Sequence, residues 1–169
     1  MYLLLVVAVY IFFAKYFVDW KRWEEYYPTI LYFIVCNLTY NFVFYDHTLW
    51  MYKAKSGWLN HTIIDLVFSY FIIPVIIMIY LRFFPTGRRK YIYLVAWIAY
   101  FSVIEWLFAK KGLFVYENGW NLKWSIMFNI IMFTLLRVHF KKPILALALS
   151  FPIIVVLLIF FHPPFSHLK

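Results

Sequence analysis

Long apolar runs separated by short polar linkers dominate the pattern of this chain. A helix that crosses the hydrocarbon layer needs about 20 mostly apolar residues, and fewer where aromatic residues and lysines extend its ends. Six runs fit this description: Tyr2–Val18, Pro28–Tyr45, Thr62–Leu81, Tyr91–Ala109, Trp124–Phe140 and Ile144–Phe161. The pattern therefore predicts an all-α polytopic membrane helix bundle of about six transmembrane helices, with residues 1–169 forming a single integral membrane domain.

The positions of glycine and proline support these helix boundaries. Pro28 and Pro143 begin predicted helices, where the missing backbone N–H has no helical partner to lose. Pro74 and Pro152 fall inside the third and sixth runs, and we expect each to kink its helix. The glycines all fall between the runs, where turns need them: Gly57, Gly87, Gly112 and Gly119.

The composition strengthens the membrane assignment. Hydrophobic residues make up 66% of the 169 positions and charged residues 14%, whereas a soluble domain is about half apolar and a quarter charged. So short a chain cannot bury this much apolar surface, so the lipid bilayer must be its main partner. Cys36 is the single cysteine, which excludes an internal disulfide. No basic segment precedes the first run and Lys15 follows Ala14, so we expect a retained helix rather than a signal peptide.

The net charge of +9 is divided among small groups between the apolar runs. This distribution is typical of membrane orientation rather than of a nucleic-acid-binding face, so we expect no nucleic-acid partner. Ten basic residues lie at and after the ends of the first, third and fifth runs: Lys15, Lys21, Arg22, Arg82, Arg88, Arg89, Lys90, Arg137, Lys141 and Lys142. Six lie on the other side: Lys53, Lys55, Lys110, Lys111, Lys123 and Lys169. The positive-inside rule therefore predicts cytoplasmic first, third and fifth linkers and both termini outside.

Acidic residues inside the predicted spans are confined to Asp65 and Glu105, each about one helical turn from the predicted outer end. A charge at mid-helix costs about 2.5–3.5 kcal/mol on insertion scales, so such positions carry information. His61 and Ser69 lie four residues on either side of Asp65, and Asn121, Ser125 and Asn129 repeat the same step in the fifth span. Residues four apart share a helix face, so each of these helices has a polar face.

Polar faces need other helices or a water-filled cavity, because lipid cannot satisfy them. The pattern predicts an outward-opening polar pocket with an aromatic rim, in which Asp65 and Glu105 lie at one depth and face one space. Its candidate ligand-binding residues are Asp65, Glu105, His61, Asn41, Asn121, Asn129, Ser125, Asp46 and His47. The alternative is structural: the same groups join neighbouring helices, each contact contributing about 0.6 kcal/mol.

His61 and Asp65 are also the candidate metal ligands, since they lie one turn apart and suit Zn²⁺ or Mn²⁺. Their spacing is generic, so we predict no firm metal site and no cofactor. The sequence contains no Walker loop, G-x-S-x-G elbow or H-E-x-x-H motif, so the catalytic residues, if any, are unknown.

Several short strings, spread over nearly the whole chain, carry a resemblance: Tyr45-Asp46-His47, Trp50, His61-Thr62, Asn118-Gly119-Trp120-Asn121, Trp124-Ser125, Arg137-Val138-His139 and Lys142-Pro143. Together they resemble an uncharacterised family of small multi-pass membrane proteins from spore-forming Gram-positive bacteria. The resemblance implies a bacterial plasma membrane and supplies no activity.

Two functions from different classes follow from these residues. The first is binding or transport of a small polar or lipid-headgroup ligand, with charge from Asp65 and Glu105 and hydrogen bonds from asparagines. The second is an intramembrane lipid-modifying enzyme that uses His61 and Asp65 as base or metal ligands. A structural role in a membrane complex, with a protein partner or as a homo-oligomer, is a third alternative.

Overall fold

The computed structural model describes residues 2–53 and 60–161, and Lys55, Gly57 and Lys169 lie outside these ranges. A 3₁₀ turn at Trp20–Arg22 joins the first two helices. The helices are α1 (Tyr2–Phe17), α2 (Trp23–Val43), α3 (His61–Arg82), α4 (Arg89–Lys110), α5 (Leu122–Lys141) and α6 (Pro143–Phe161). The predicted all-α bundle of six helices is confirmed.

Three of the described helices, α3, α4 and α6, are each long and apolar enough to cross a membrane. The helices α1 and α2 are long and apolar enough to cross a membrane only when they are taken together, and the pair is bent by 83°. Within α5, polar residues such as Asn129, Arg137 and His139 interrupt an otherwise apolar sequence. The chain therefore has membrane-spanning helices, while six crossings stay a prediction.

One predicted boundary is wrong. Helix α2 begins at Trp23, so Pro28 lies inside the helix instead of opening it. Glu24 and Glu25 stabilise the extra turn, because acidic side chains interact favourably with a helix N-terminus. Glu25 also forms an ion pair of 2.5 Å with Arg22. Pro143 does open α6, as predicted.

The prolines inside the bundle behave differently from each other. In α3, Pro74 follows a π-helical turn at Phe68–Ile72. Such a turn accommodates the irregular hydrogen bonding that a proline imposes, and π-turns are frequent at functional sites. Helix α6 continues through Pro152 without an interruption of its helical assignment.

The sequence did not predict the β-ribbon, a two-stranded antiparallel pair formed by β1 (Trp50–Tyr52) and β2 (Phe114–Tyr116). Trp50 pairs with Tyr116, and Tyr52 pairs with Phe114. The ribbon joins the two linkers that follow α2 and α4, so it covers the end of the bundle where α3 and α5 begin. We call this the ribbon end, and the opposite end, which carries the basic linkers, the basic end.

The basic half of the bundle is filled by a core of closely packed apolar side chains. Ile72, Ile77, Tyr80 and Phe133 are fully buried between α3 and α5, and α4 packs against them through Trp97. The Tyr80 hydroxyl donates to the Phe133 carbonyl at 2.9 Å, which satisfies this buried polar group. The core therefore closes the centre of the bundle toward the basic end.

Helix α1 lies across the bundle and contacts α3 and α4. The hydroxyls of Tyr10 and Tyr100 are hydrogen bonded at 2.9 Å, which joins α1 to the middle of α4. At the basic end, Arg82 Nη1 donates to the Phe17 carbonyl at 2.7 Å. Helix α1 thus ends near the basic linkers, and α2 returns from there to the ribbon end.

Candidate functional site

A cavity of about 350 Å³ lies under the β-ribbon, between α1, α2, α3, α4 and α5. We call it the polar cavity, although most of its wall is apolar or aromatic. Asp65 and Glu105, the two acids of the predicted spans, both line it. Its polar wall consists of Asn37, Asp65, Ser69, Glu105, Ser125 and Asn129. The volume is within the range of about 300–1,000 Å³ typical of small-ligand sites.

Asp65 is held by two asparagines of the neighbouring helix α2. Its Oδ2 accepts from Asn37 Nδ2 at 3.1 Å and from Asn41 Nδ2 at 2.9 Å. Asn37 Nδ2 also donates to Ser69 Oγ at 2.8 Å. The four-residue step from Asn37 to Asn41 therefore matches the step from Asp65 to Ser69, so the polar faces of α2 and α3 meet directly.

Glu105 is held from the ribbon. The Tyr116 hydroxyl on β2 donates to Glu105 Oε1 at 2.8 Å. Burial raises the pKa of Tyr116, and the hydrogen bond to Glu105 and its negative charge raise it further. Nearby, the Trp120 indole donates to Ser125 Oγ at 2.7 Å, which fixes a second polar group of the wall.

The other ribbon strand lies within reach of both acids. Tyr52 is on β1 and lines the polar cavity. Burial raises the pKa of the Tyr52 hydroxyl, and the negative charges of Asp65 and then Glu105 raise it further. The Tyr52 backbone N–H donates to His61 Nδ1 at 3.2 Å, so the ribbon also contacts the first turn of α3.

Asn129 is the wall residue whose hydrogen bonding is incomplete. Its side chain is 6% exposed, and its Nδ2 has no hydrogen-bond partner among the described residues. A buried donor without a partner costs about 1–3 kcal/mol. Because Asn129 lines the polar cavity together with both acids, an acceptor atom inside that cavity would satisfy this donor.

The structure divides the nine predicted site residues into two groups. Asp65, Glu105, Ser125 and Asn129 line the polar cavity. The others lie around it: Asn41 binds Asp65, His61 accepts from the ribbon, Asn121 caps α5, and Asp46 and His47 are in the turn after α2.

Asn121 has a clear structural role. Its Oδ1 accepts from the backbone N–H groups of Lys123 and Trp124 at 3.0 and 3.4 Å, which is the geometry of a helix N-cap. Asp46 is exposed to solvent and His47 is partly so, and neither is among the residues that line the cavity. No group of three His, Cys, Asp or Glu side chains suited to a metal ion occurs within residues 2–53 and 60–161.

Aromatic residues of the ribbon form a part of the site that the sequence predicted only as an aromatic rim. Trp50 lines the cavity and stacks on Tyr40 of α2, with ring centroids 4.2 Å apart and planes at 3°. The Tyr40 hydroxyl accepts from the Leu49 backbone N–H at 3.0 Å. Clusters of Trp and Tyr in both linkers were the available signal, but they did not reveal that the two linkers pair.

Comparison with known protein families, with curated proteins and with solved structures finds no match to this chain.

Proposed function

We propose that this protein binds a small polar ligand or a lipid headgroup in the polar cavity, and that the bound group carries a positive charge. The unpartnered Nδ2 of buried Asn129 is the observation that carries the binding role, because this donor needs an acceptor atom from a ligand. The positive charge is inferred separately, from the two acids that line the same cavity. A helix bundle that needed these residues only for packing would pair this donor with a neighbouring helix. Its place in a cavity lined by two acids supports a role in binding.

The charges around the cavity favour a cation over an anion. Asp65 and Glu105 both line the wall, and none of the described lining residues is Lys or Arg. The hydrogen-bond donors described for the two acids are all neutral: side-chain amides, a phenol and the Ser125 hydroxyl. Aromatic rings of Trp50, Tyr52 and Phe68 complete the wall, and such rings attract cations through their faces. A small ligand that carries an ammonium group together with an oxygen acceptor fits these three features and the Asn129 donor.

Binding accounts for the geometry better than passage through the bundle does. The polar cavity reaches from the ribbon to Ile76, a little past the middle of α3, and ends where the core around Ile77, Tyr80 and Phe133 fills the bundle. Transport would require this packed core to open. The resemblance in sequence and the distribution of basic residues support a bacterial plasma membrane location, with both termini and the ribbon end outside.

Cysteine labelling tests the proposal. Ser69→Cys places a thiol in the cavity wall with little change in volume, in a Cys36→Ala background that leaves it the only cysteine. The thiol is treated with trimethylammonium-ethyl or sulfonatoethyl methanethiosulfonate. Each labelling rate is divided by the rate at which the same reagent labels a free thiol in solution, which corrects for the reagents' own reactivity. We expect the cationic reagent to be favoured at least about tenfold, since clefts lined by one charge concentrate the opposite charge. Glu105→Gln should reduce that preference.

Ser150→Cys in the same background is the matched control, since Ser150 lies in α6 away from the polar cavity. It should show no preference for the cationic reagent. The proposal is wrong if Ser69→Cys reacts with neither reagent, or if it reacts equally well with both.

A further inference from the structure

A second cavity, of about 550 Å³, runs along α2, α5 and α6. We call it the apolar groove. None of its described lining residues is Lys, Arg, Asp or Glu. Several of its polar side chains already have hydrogen-bond partners: His139 Nδ1 lies 3.0 Å from Thr29 Oγ1 behind the wall, the Tyr32 hydroxyl lies 2.6 Å from Ser150 Oγ, and Asn37 donates to Asp65 and Ser69. The groove therefore presents an apolar surface to any occupant.

The groove is long and open to the membrane side of the bundle. Along α2 its wall extends from Pro28 to Val43, which is roughly 23 Å at a rise of about 1.5 Å per residue. One leaflet of the hydrocarbon core is about 15 Å thick, so an extended acyl chain fits along it. Exposed Leu31 and Leu147 lie on its rim, so a chain can enter sideways from lipid.

The groove and the polar cavity share a wall. Asn37, Trp50, Phe128 and Met132 line both of them, together with Phe33. Asn37 is also the residue that donates to Asp65. Because these side chains form the boundary between the two spaces, an amphiphile whose polar and apolar halves part at this boundary would contact both sites.

The geometry points to one lipid as the ligand of both cavities, with its ammonium headgroup beside Asp65 and Glu105 and an acyl chain in the apolar groove. This inference rests on the proposed function and adds the class of ligand. A phosphate in such a headgroup is compatible with the ribbon end, where Lys53 and Lys123 are exposed. The Nδ2 of Asn129 would donate a hydrogen bond to an oxygen of the same headgroup.

Lipid titration of the purified full chain in detergent tests this inference. Bound lipid is counted by native mass spectrometry with phosphatidylethanolamine, with phosphatidylglycerol, and with glycerophosphoethanolamine, which has the same headgroup without chains. We expect one phosphatidylethanolamine per chain, bound more tightly than either of the other two. Leu147→Trp should weaken its binding about tenfold, the loss expected when roughly two methylenes leave apolar contact.

Leu149→Trp is the matched control, because Leu149 is exposed on the same helix but does not line the groove. The Leu149→Trp variant should bind phosphatidylethanolamine with the affinity of the wild type. Equal effects of the two tryptophans, or binding of phosphatidylglycerol as tight as that of phosphatidylethanolamine, would overturn the inference. If Ser69→Cys still prefers the cationic reagent, only the lipid chain is excluded and a soluble ammonium ligand remains. If that preference is also absent, the proposed function fails as well.

Discussion

The Tyr116 hydroxyl donates a 2.8 Å hydrogen bond to Glu105 Oε1, which joins the second strand of the ribbon to the acid of α4. The first strand is joined to the other acid-bearing helix, because the Tyr52 N–H donates to His61 Nδ1 on α3. The ribbon therefore contacts both helices that supply acids to the polar cavity. Substitutions in the ribbon should therefore alter the polar cavity, and substitutions of the two acids should alter the stability of the ribbon.

Removal of the Tyr116 hydroxyl should destabilise the protein. We expect Tyr116→Phe to lower the free energy of unfolding by about 1–3 kcal/mol, because a half-buried carboxylate loses one of its donors. Unfolding by denaturant in detergent micelles measures the change. Tyr91→Phe is the control, since Tyr91 is exposed on α4 at the basic end and the substitution keeps its ring. The hydrogen bond is unimportant if both variants lose the same stability.

The ribbon tyrosines should also make stability depend on alkaline pH. Burial, assisted by the charges of Asp65 and Glu105, raises the pKa of Tyr52, and burial and Glu105 raise that of Tyr116. Because each folded-state pKa lies above the unfolded value of about 10, the stabilisation is complete below pH 10 and is lost as the pH rises further.

Thermal unfolding between about pH 8 and 11 measures this dependence. Tyr52→Phe combined with Tyr116→Phe should flatten the fall in stability above pH 10 relative to the wild type. Lysines and the other tyrosines are the same in both proteins, so their titration cancels in the difference. Identical slopes for the two proteins would contradict the prediction.

Asn37 and Asp65 should be energetically coupled across the interface of α2 and α3. In a double-mutant cycle of Asn37→Ala with Asp65→Leu, which removes the acceptor oxygens, we expect a coupling energy of about 0.5–1.7 kcal/mol, the range of interhelical hydrogen bonds in membranes. Asn37→Ala with Glu105→Gln is the control cycle and should be close to additive, since no hydrogen bond joins these described residues. Equal coupling in both cycles would mean that the effect is a general loosening of the bundle.

Helix positions were largely predictable because each depends on local hydropathy. Predicted and observed ends agree within two residues for α1, α3, α4, α5 and α6. The exception is the start of α2, where the charged turn at Glu24 and Glu25 contains too few apolar residues to signal a membrane helix. Hydropathy does not detect a helical turn that extends beyond the apolar run.

The candidate site was predictable only in part. The spacing of Asp65 and Ser69 placed them on one face of α3, and rare intramembrane acids marked the region. The partners of those acids depend on which elements pack together. The pairing of Trp50 with Tyr116 joins residues far apart in sequence, and three-residue strands have no periodic pattern long enough to recognise. Glu105 could not be matched to Tyr116 without that ribbon.

The two ends of the bundle should lie on opposite sides of the membrane, with the ribbon end outside. Glu117 follows β2 at the ribbon end and Arg88 precedes α4 at the basic end, and both side chains are exposed. In a Cys36→Ala background, a membrane-impermeant maleimide should label Glu117→Cys in intact cells and Arg88→Cys only after lysis. The reason is the excess of Lys and Arg at the basic end, which the positive-inside rule places in the cytoplasm. The reverse pattern would turn the polar cavity toward the cytoplasm, and its ligand would then have to come from the inner leaflet or the cell interior.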